Sequence, residues 1–470
     1  MQNIALLTDL YQLTMMNGYA ETGTADKIAV FDLFYRDPFG DTPFAVTAGL
    51  HQAIEYIRDL RFTDCDIEYL KSLNLFGDKF FKRIKDFKFT GDIYAVREGE
   101  MVFPYEPILT VRAPIFQAQL LETALLNIIN HQTLIATKAF RITKEAGKPV
   151  AEFGLRRAQG ADAGVYGARA SIIGGCVSTS NVFAGKKFGV RVTGTVAHSW
   201  IMSFETELEA FRSYANINPS NCLLLVDTYD TLKSGVPNAI TVFNEIKAKG
   251  HTPIGIRLDS GDLAYLSKRA RVMLDEAGFK DAKIFVSGDI DEHIIVSLKN
   301  QGAKIDAYGI GTKLITSAPN PALGGVFKLA GIYENGELVP KMKISDTPGK
   351  TTNPGFKTLF RIYENGRAEA DLIALRGEKF DCEKPLTIFH PVETWKKKTF
   401  TNYKIEELSV KIFENGNLVY TPPLLHETVS YSAVSRGKFE GEYTRLLNPH
   451  IYKVDLSQNL FDLKHKILNG

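Results

Sequence analysis

Between about Val150 and Ile315, short apolar runs that each close on polar or glycine-rich text alternate with segments of helical spacing. "LLLVDTYD" precedes "AITVFNEIKAKG", "IGIRLDSGD" precedes "LAYLSKRARVMLDEAG", "IFVSGD" precedes "DEHIIVSLKNQG", and "IDAYGIGTK" ends the series. Repeated strand–helix units of this length predict a parallel sheet with helices outside it. In "AITVFNEIKAKG" an apolar stripe of Ile240, Phe243 and Ile246 predicts one face laid on that sheet. Because "VAEFGLRR" and "VRVTGTVAHS" supply earlier strand ends of the same kind, closure into a barrel is expected rather than an open sheet.

The flanks read differently. The first third mixes strand text ("KIAVFDLFYR", "AVTAGL") with helical text ("HQAIEYIRDL"), and residues 117–147 keep helical spacing up to a glycine. Beyond 330, "IYENGELV", "IYENGRAEADLIAL" and "IFENGNLVY" each set Asn-Gly between alternating apolar positions, predicting hairpins at 332–339, 362–374 and 412–420. These flanks form a second, mixed α+β part. The expected division is 1–130 for an N-terminal mixed domain, 131–345 for the α/β barrel, and 346–470 for a C-terminal segment whose hairpins pack on the N-terminal domain.

Composition narrows the partners. The 470 residues carry 56 basic and 54 acidic side chains, a formal charge of +2, which argues against a general nucleic-acid binder and toward small molecules. Four cysteines (Cys65, Cys176, Cys222, Cys382) stand far apart without a CxxC pair, so neither a zinc site nor a disulfide framework is suggested. The N-terminus lacks a basic leader, and no apolar run is long enough to span a membrane. A cytoplasmic protein with no membrane partner is expected.

In α/β barrels, chemistry collects where strands end, since only that rim lets several strands aim side chains at one ligand. Here the ends carry Glu152, Phe153, Arg156, His198, Asp227, Asp230, Arg257, Asp259 and Asp289. Taken singly, each has a plain structural reading: Asp289 as a helix cap, Asp259 in "DSGD" as a turn residue, His198 as a core histidine. Six successive strand ends of this kind are harder to explain by structure alone. Carboxylates, arginines and a histidine around one cavity suit a ligand that combines anionic groups with hydroxyls or a metal. Gly309, Gly311 and Thr312 in "GIGTK" can turn backbone N–H groups toward a phosphate, with Lys313 nearby, and the aspartates can take ribose hydroxyls or Mg²⁺.

The motifs "TDLYQLTM", "EFGLRRAQG", "GTVAHS", "VDTYDT", "RLDSGDL", "VSGD", "GIGTKL" and "KISDTPGKTTNPG", in this order over almost the whole chain, resemble the nicotinate phosphoribosyltransferase family. The resemblance implies an irregular, TIM-like α/β barrel of the type II phosphoribosyltransferase kind, with a second mixed α+β domain built from both chain ends. It implies joining of nicotinate to 5-phosphoribosyl-1-diphosphate, giving nicotinate mononucleotide and diphosphate for NAD synthesis, with Mg²⁺ as cofactor and ATP as co-substrate. It also implies a homodimer with shared active sites.

By the same resemblance, His198 matches a transiently phosphorylated histidine. Phe153 and, from the second subunit, Tyr11 would sandwich the pyridine ring. Arg156 would face the nicotinate carboxylate, with Arg257 as second candidate. Asp227, Asp259 and Asp289 would hold ribose and magnesium-diphosphate, with no metal site made by protein ligands alone. Gly288, Gly311 and Thr312 would cradle the 5-phosphate, and Arg36 and Lys328 match basic positions contributed across the interface. Ser180 matches the position where the nicotinamide-using relative carries an acid. Rival readings are that nicotinamide phosphoribosyltransferase and a nucleotide-binding barrel without turnover.

Overall fold

The computed structural model describes residues 4–38, 42–346 and 350–469. The chain forms two compact units, one from 138–321 and one from 1–137 together with 322–470.

The 138–321 unit is a six-stranded parallel sheet in the order Ser178–Thr179, Val150–Glu152, Ala307–Ile310, Lys283–Gly288, Gly255–Leu258, Leu223–Leu225. Ile256, Leu258, Ile284, Val286 and Ile310 are buried, as the apolar runs require of a sheet covered by helices. The helix Val236–Ala248 buries Val236, Ala239, Val242, Phe243 and Ile246. The stripe therefore runs at the true helical period, and Ile240, expected within it, falls at its margin.

Closure into a barrel is not made: among the described residues no ladder joins the edge strands Ser178–Thr179 and Leu223–Leu225. The segment expected to help close it, "VRVTGTVAHS", is not a buried strand. Gly189, in the left-handed region at φ 68°, and Gly194 bracket a stretch too short to ladder. Its Arg191 and Val192 are exposed, and its single pairing is a bridge between Val192 and Thr179.

The other unit carries an antiparallel seven-stranded sheet in the order Glu337–Pro340, Gly325–Glu334, Ile28–Tyr35, Leu109–Pro114, Asp92–Val96, Ser409–Glu414, Asn417–Leu418, and a mixed six-stranded sheet. Phe31, Leu33, Ile93, Val111 and Phe413 belong to its core. The three hairpins form where Asn-Gly predicts them, with positive φ at Asn335 and Gly336, Asn365 and Gly366, and Asn415 and Gly416. The helical spacing over 117–147 is one helix, Ile115–Ala146.

The expected boundary at 345 is corrected. Gly325–Glu334 pairs antiparallel with Ile28–Tyr35, so residues 322–345 belong with the chain ends and not with the parallel sheet. The motif "KISDTPGKTTNPG" includes Thr347, Pro348 and Gly349, which lie outside the described residues. Among the described residues no helix is long and apolar enough to cross a membrane.

Candidate active site

Three strand-to-helix junctions of the parallel sheet, those after Leu223–Leu225, Gly255–Leu258 and Lys283–Gly288, each carry two aspartates, and the structure divides their labour. Asp230 caps its helix, accepting from Leu232 N at 3.1 Å and Lys233 N at 2.9 Å. Asp262 accepts from Tyr265 N at 3.0 Å, and Asp291 from Ile294 N at 2.9 Å. These three satisfy otherwise orphaned helix N–H groups. The partner aspartates two or three residues earlier, Asp227, Asp259 and Asp289, are left for the rim. The capping reading of Asp289 is thus met by Asp291 instead.

Asp227 is buried, its side chain 2% exposed, and it organises the rim. One oxygen faces His198 Nε2 at 3.3 Å; the other accepts from Asp259 N at 3.0 Å and Ser260 Oγ at 2.6 Å. His198 opens the short helix His198–Met202 with its ring partly exposed. Asp259 accepts from Arg257 Nη2 at 2.7 Å and from Ser287 Oγ at short range, while Ser287 Oγ accepts from Arg257 Nε at 2.8 Å. Burial by itself would raise the Asp259 carboxyl, but the Ser287 hydrogen bond and the Arg257 charge outweigh it and hold it below the usual carboxylate range.

Phe153 directly follows the strand Val150–Glu152. Its ring stacks on Phe285 with centroids 6.0 Å apart, and Arg257 Cζ lies 5.5 Å from its centroid. The buried Glu152 beside it accepts from Thr179 Oγ1 at 2.6 Å and from Gly154 N; burial pushes its carboxyl up, against both bonds. Gly309, expected from "GIGTK" to turn its N–H toward a phosphate, has its backbone in a two-sided strand ladder instead. It lies inside the strand Ala307–Ile310, where a Cβ would meet the Phe153 ring at 2.6 Å, so its glycine makes room for that ring. Gly311 passes the Phe153 carbonyl closely, a Cβ there lying 2.9 Å from it, and Thr312 begins a four-residue helix. Gly288, at φ 118°, lets the chain pass Asp259.

These elements enclose a pocket of about 250 Å³ whose walls include Phe153, Arg156, Arg257, Asp259, Asp289 and Thr312, with Gly288 and Gly311. An adjoining groove shares Asp259, Ser287, Gly288 and Asp289. His198 and Asp227 are not on the pocket wall but reach it through the Asp227–Asp259 bond. Ser180 sits one strand away, its N–H donating to Glu152 O at 2.9 Å. Two lining residues escaped the sequence reading. Arg157 adjoins Arg156, and a doubled arginine was the available signal; Ser287 looked like an ordinary strand serine.

Tyr11, Arg36 and Lys328 belong to the other unit. Tyr11 is exposed on the helix Leu10–Glu21, and its hydroxyl donates to Glu122 at 3.2 Å; burial, then Glu122, push it up to about 12. Arg36 follows the strand Ile28–Tyr35, and Lys328 pairs opposite Asp32. Among the described residues no group of three or more His, Cys, Asp or Glu side chains could hold a metal ion, and both oxygens of Asp227 are already committed.

The chain matches the family description of the nicotinate phosphoribosyltransferase N-terminal domain over 6–130, of the family proper over 149–373 and of its C-terminal domain over 356–464. It is 48% identical over 465 residues to a nicotinate phosphoribosyltransferase of Bacillus subtilis (strain 168), covering 98% of this chain and 94% of that one. The chain belongs to the nicotinate phosphoribosyltransferase family. A human nicotinate phosphoribosyltransferase is 33% identical over 99% of this chain and 97% of its own. The crystal structure of human nicotinic acid phosphoribosyltransferase superposes with TM-score 0.86 at 31% identity, covering 98% of this chain and 99% of that one. The nicotinate-nucleotide pyrophosphorylase of Pyrococcus furiosus shares the fold at TM-score 0.71 and 24% identity, covering 93% and 96%.

Proposed function

We propose that this protein transfers the 5-phosphoribosyl group from its 1-diphosphate to nicotinate, giving nicotinate mononucleotide and diphosphate for NAD salvage. The observation that carries the reading is the pocket that sets an aromatic face, Phe153, against arginines and strand-end aspartates. A planar ring with one negative charge suits the first group, and a ribose bearing phosphates suits the second. The pyridine nitrogen lone pair forms the bond to the anomeric carbon while the carbon–oxygen bond to diphosphate breaks, so the protein's task is alignment and charge stabilisation. Of the two candidates for the carboxylate, the geometry favours Arg257, which lies over the Phe153 ring, while Arg156 is exposed at the rim. Asp259 and Asp289 would take ribose hydroxyls, and Gly288, Gly311 and Thr312 the 5-phosphate.

ATP coupling belongs to the same proposal. With Nε2–H donating to Asp227, the lone pair of neutral His198 stands on Nδ1. That nitrogen would attack the γ-phosphorus of ATP, the bond to the bridging oxygen breaking so that ADP leaves, and water would later release phosphate from the histidine. Mg²⁺ would enter with the diphosphate and neutralise leaving-group charge, Asp259 being the carboxylate to hold it, with Asp227, whose oxygens are both committed, fixing Asp259 from behind. Tyr11, Arg36 and Lys328 would complete the site of a second copy in a homodimer.

The test is diphosphate release with nicotinate or nicotinamide, each with and without ATP. Nicotinate-dependent release stimulated by ATP supports the whole reading. Preference for nicotinamide would move the protein to the rival enzyme, and no release with either would make it a nucleotide-binding protein without turnover.

A further inference from the structure

We propose that Ser287 is a positioning residue that selects which edge of Arg257 reads the pyridine's acidic group, and thereby sets the preference for a carboxylate over a carboxamide. The inference rests on the reading of the pocket as a nicotinate site.

A guanidinium offers two edges that can each make a pair of parallel hydrogen bonds: the side edge, Nε with one terminal nitrogen, and the end edge between the two terminal nitrogens. Here the side edge is occupied. Nε donates to Ser287 Oγ at 2.8 Å and Nη2 donates to Asp259 Oδ1 at 2.7 Å, while the Ser287 hydroxyl closes the ring by donating to the same Asp259 oxygen. The polarity is forced, because Arg257 can only donate; the serine oxygen must accept from it and send its one hydrogen to the carboxylate. Nη1 is held only by long contacts, 3.4 Å to Thr195 Oγ1 and 3.5 Å to Val196 O. The end edge is therefore the one left to a ligand stacked on Phe153.

Asp259 alone would not achieve this. A single bond from Nη2 leaves the arginine torsions able to swing either edge toward the pocket, whereas the second bond at Nε fixes the plane. Ser287 suits the task because it is 2% exposed and lies in the strand Lys283–Gly288, whose Phe285 pairs with Arg257 across the ladder. A carboxylate brings two acceptors to the parallel N–H pair. A carboxamide brings one acceptor and one N–H₂ donor, which meets another donor and stays unpaired in a site where the Arg257 side chain is 13% exposed.

The experiment measures kcat/KM for nicotinate and nicotinamide, or the nicotinamide Ki where its turnover is too slow, in wild type and Ser287→Ala, with thermal unfolding alongside. The expected result is a fall in the nicotinate-to-nicotinamide ratio of at least about tenfold, equivalent to about 1.4 kcal/mol, carried by nicotinate KM more than kcat. Ser287→Thr, which keeps the hydroxyl, should restore most of the ratio. In an Arg257→Lys background, which has no second edge to select, Ser287→Ala should change the ratio by less than about twofold. A ratio unchanged in Ser287→Ala, an equal loss for both pyridines, or the same loss in the lysine background would each overturn the inference. Should Ser287→Ala fail to fold, Ser287→Cys, whose thiol is too weak a donor to close the ring, carries the same expectations. Wild type that turns over neither pyridine would sink the functional reading itself, an outcome read before any variant is compared.

Discussion

Gly309→Ala removes no charge, no hydrogen bond and no catalytic group, yet it should damage the pyridine site. A Cβ at this position would lie 2.6 Å from Phe153 Cε2, 2.7 Å from its Cδ2 and 2.9 Å from Phe285 Cε1. Unstrained carbon contacts are about 3.5–4.0 Å, so the Phe153 ring must retreat by about 1 Å. Phe285 stacks against that ring and is itself within the clash, so the pair cannot absorb the methyl without moving. Overpacking of this kind costs about 1–3 kcal/mol of stability. Losing a well-placed aromatic partner costs a stacked ring about 0.5–1.5 kcal/mol, a factor of about 2–12 in affinity, and misplacing a reacting group by about 1 Å can cost about a hundredfold in rate. The expected result is a fall in nicotinate kcat/KM between about tenfold and a hundredfold, with the KM for phosphoribosyl diphosphate within about threefold of wild type. The assay is steady-state diphosphate release with each substrate varied, beside a thermal melt. Gly437→Ala, where a Cβ meets nothing within 4 Å, serves as the control. A Gly309→Ala enzyme with wild-type nicotinate KM would refute the assignment of Phe153 to the ring-binding wall.

Three further outcomes are expected. His198→Asn should abolish an acid-labile, base-stable label from γ-labelled ATP and remove ATP stimulation while leaving slow ATP-independent transfer; full stimulation in the variant would end the phosphohistidine assignment. Ser180→Asp should lose nicotinate turnover through a higher KM and gain nicotinamide turnover, since two like charges about 4 Å apart at an effective dielectric near 20 repel by about 4 kcal/mol; a substrate ratio moving by less than about tenfold would place Ser180 away from the carboxylate. Arg361→Met should destabilise the chain by about 3–5 kcal/mol, because it strips the partner from Glu100 and Asp371 in a site where Arg361 has no exposure; an unchanged urea midpoint would contradict that charge accounting.

Local chemistry made much of this protein legible before folding is considered. Asn-Gly pairs prescribe their hairpins because both residues must take positive φ, and the three at 335, 365 and 415 do so. Period and length prescribe the strand–helix alternation, so the parallel sheet and the site-bearing strand ends could be read directly, as could the family from the order of its motifs. What escaped is what depends on partners distant in the chain. Three junctions offer two aspartates of equal chemistry, and only the residue at which the helix begins decides which one caps it and which is left at the rim. Strand text at 325–334 has no local mark of its owner; it joins Ile28–Tyr35 because that antiparallel ladder is available there. Gly309 looked like phosphate-binding text because glycine frees the backbone, whereas its use is the space that a missing Cβ leaves for Phe153. Ser287 carries no signal at all in isolation. Its meaning arises when parallel pairing sets the strand of Phe285 beside that of Arg257, and a hydroxyl becomes the third side of a ring of hydrogen bonds.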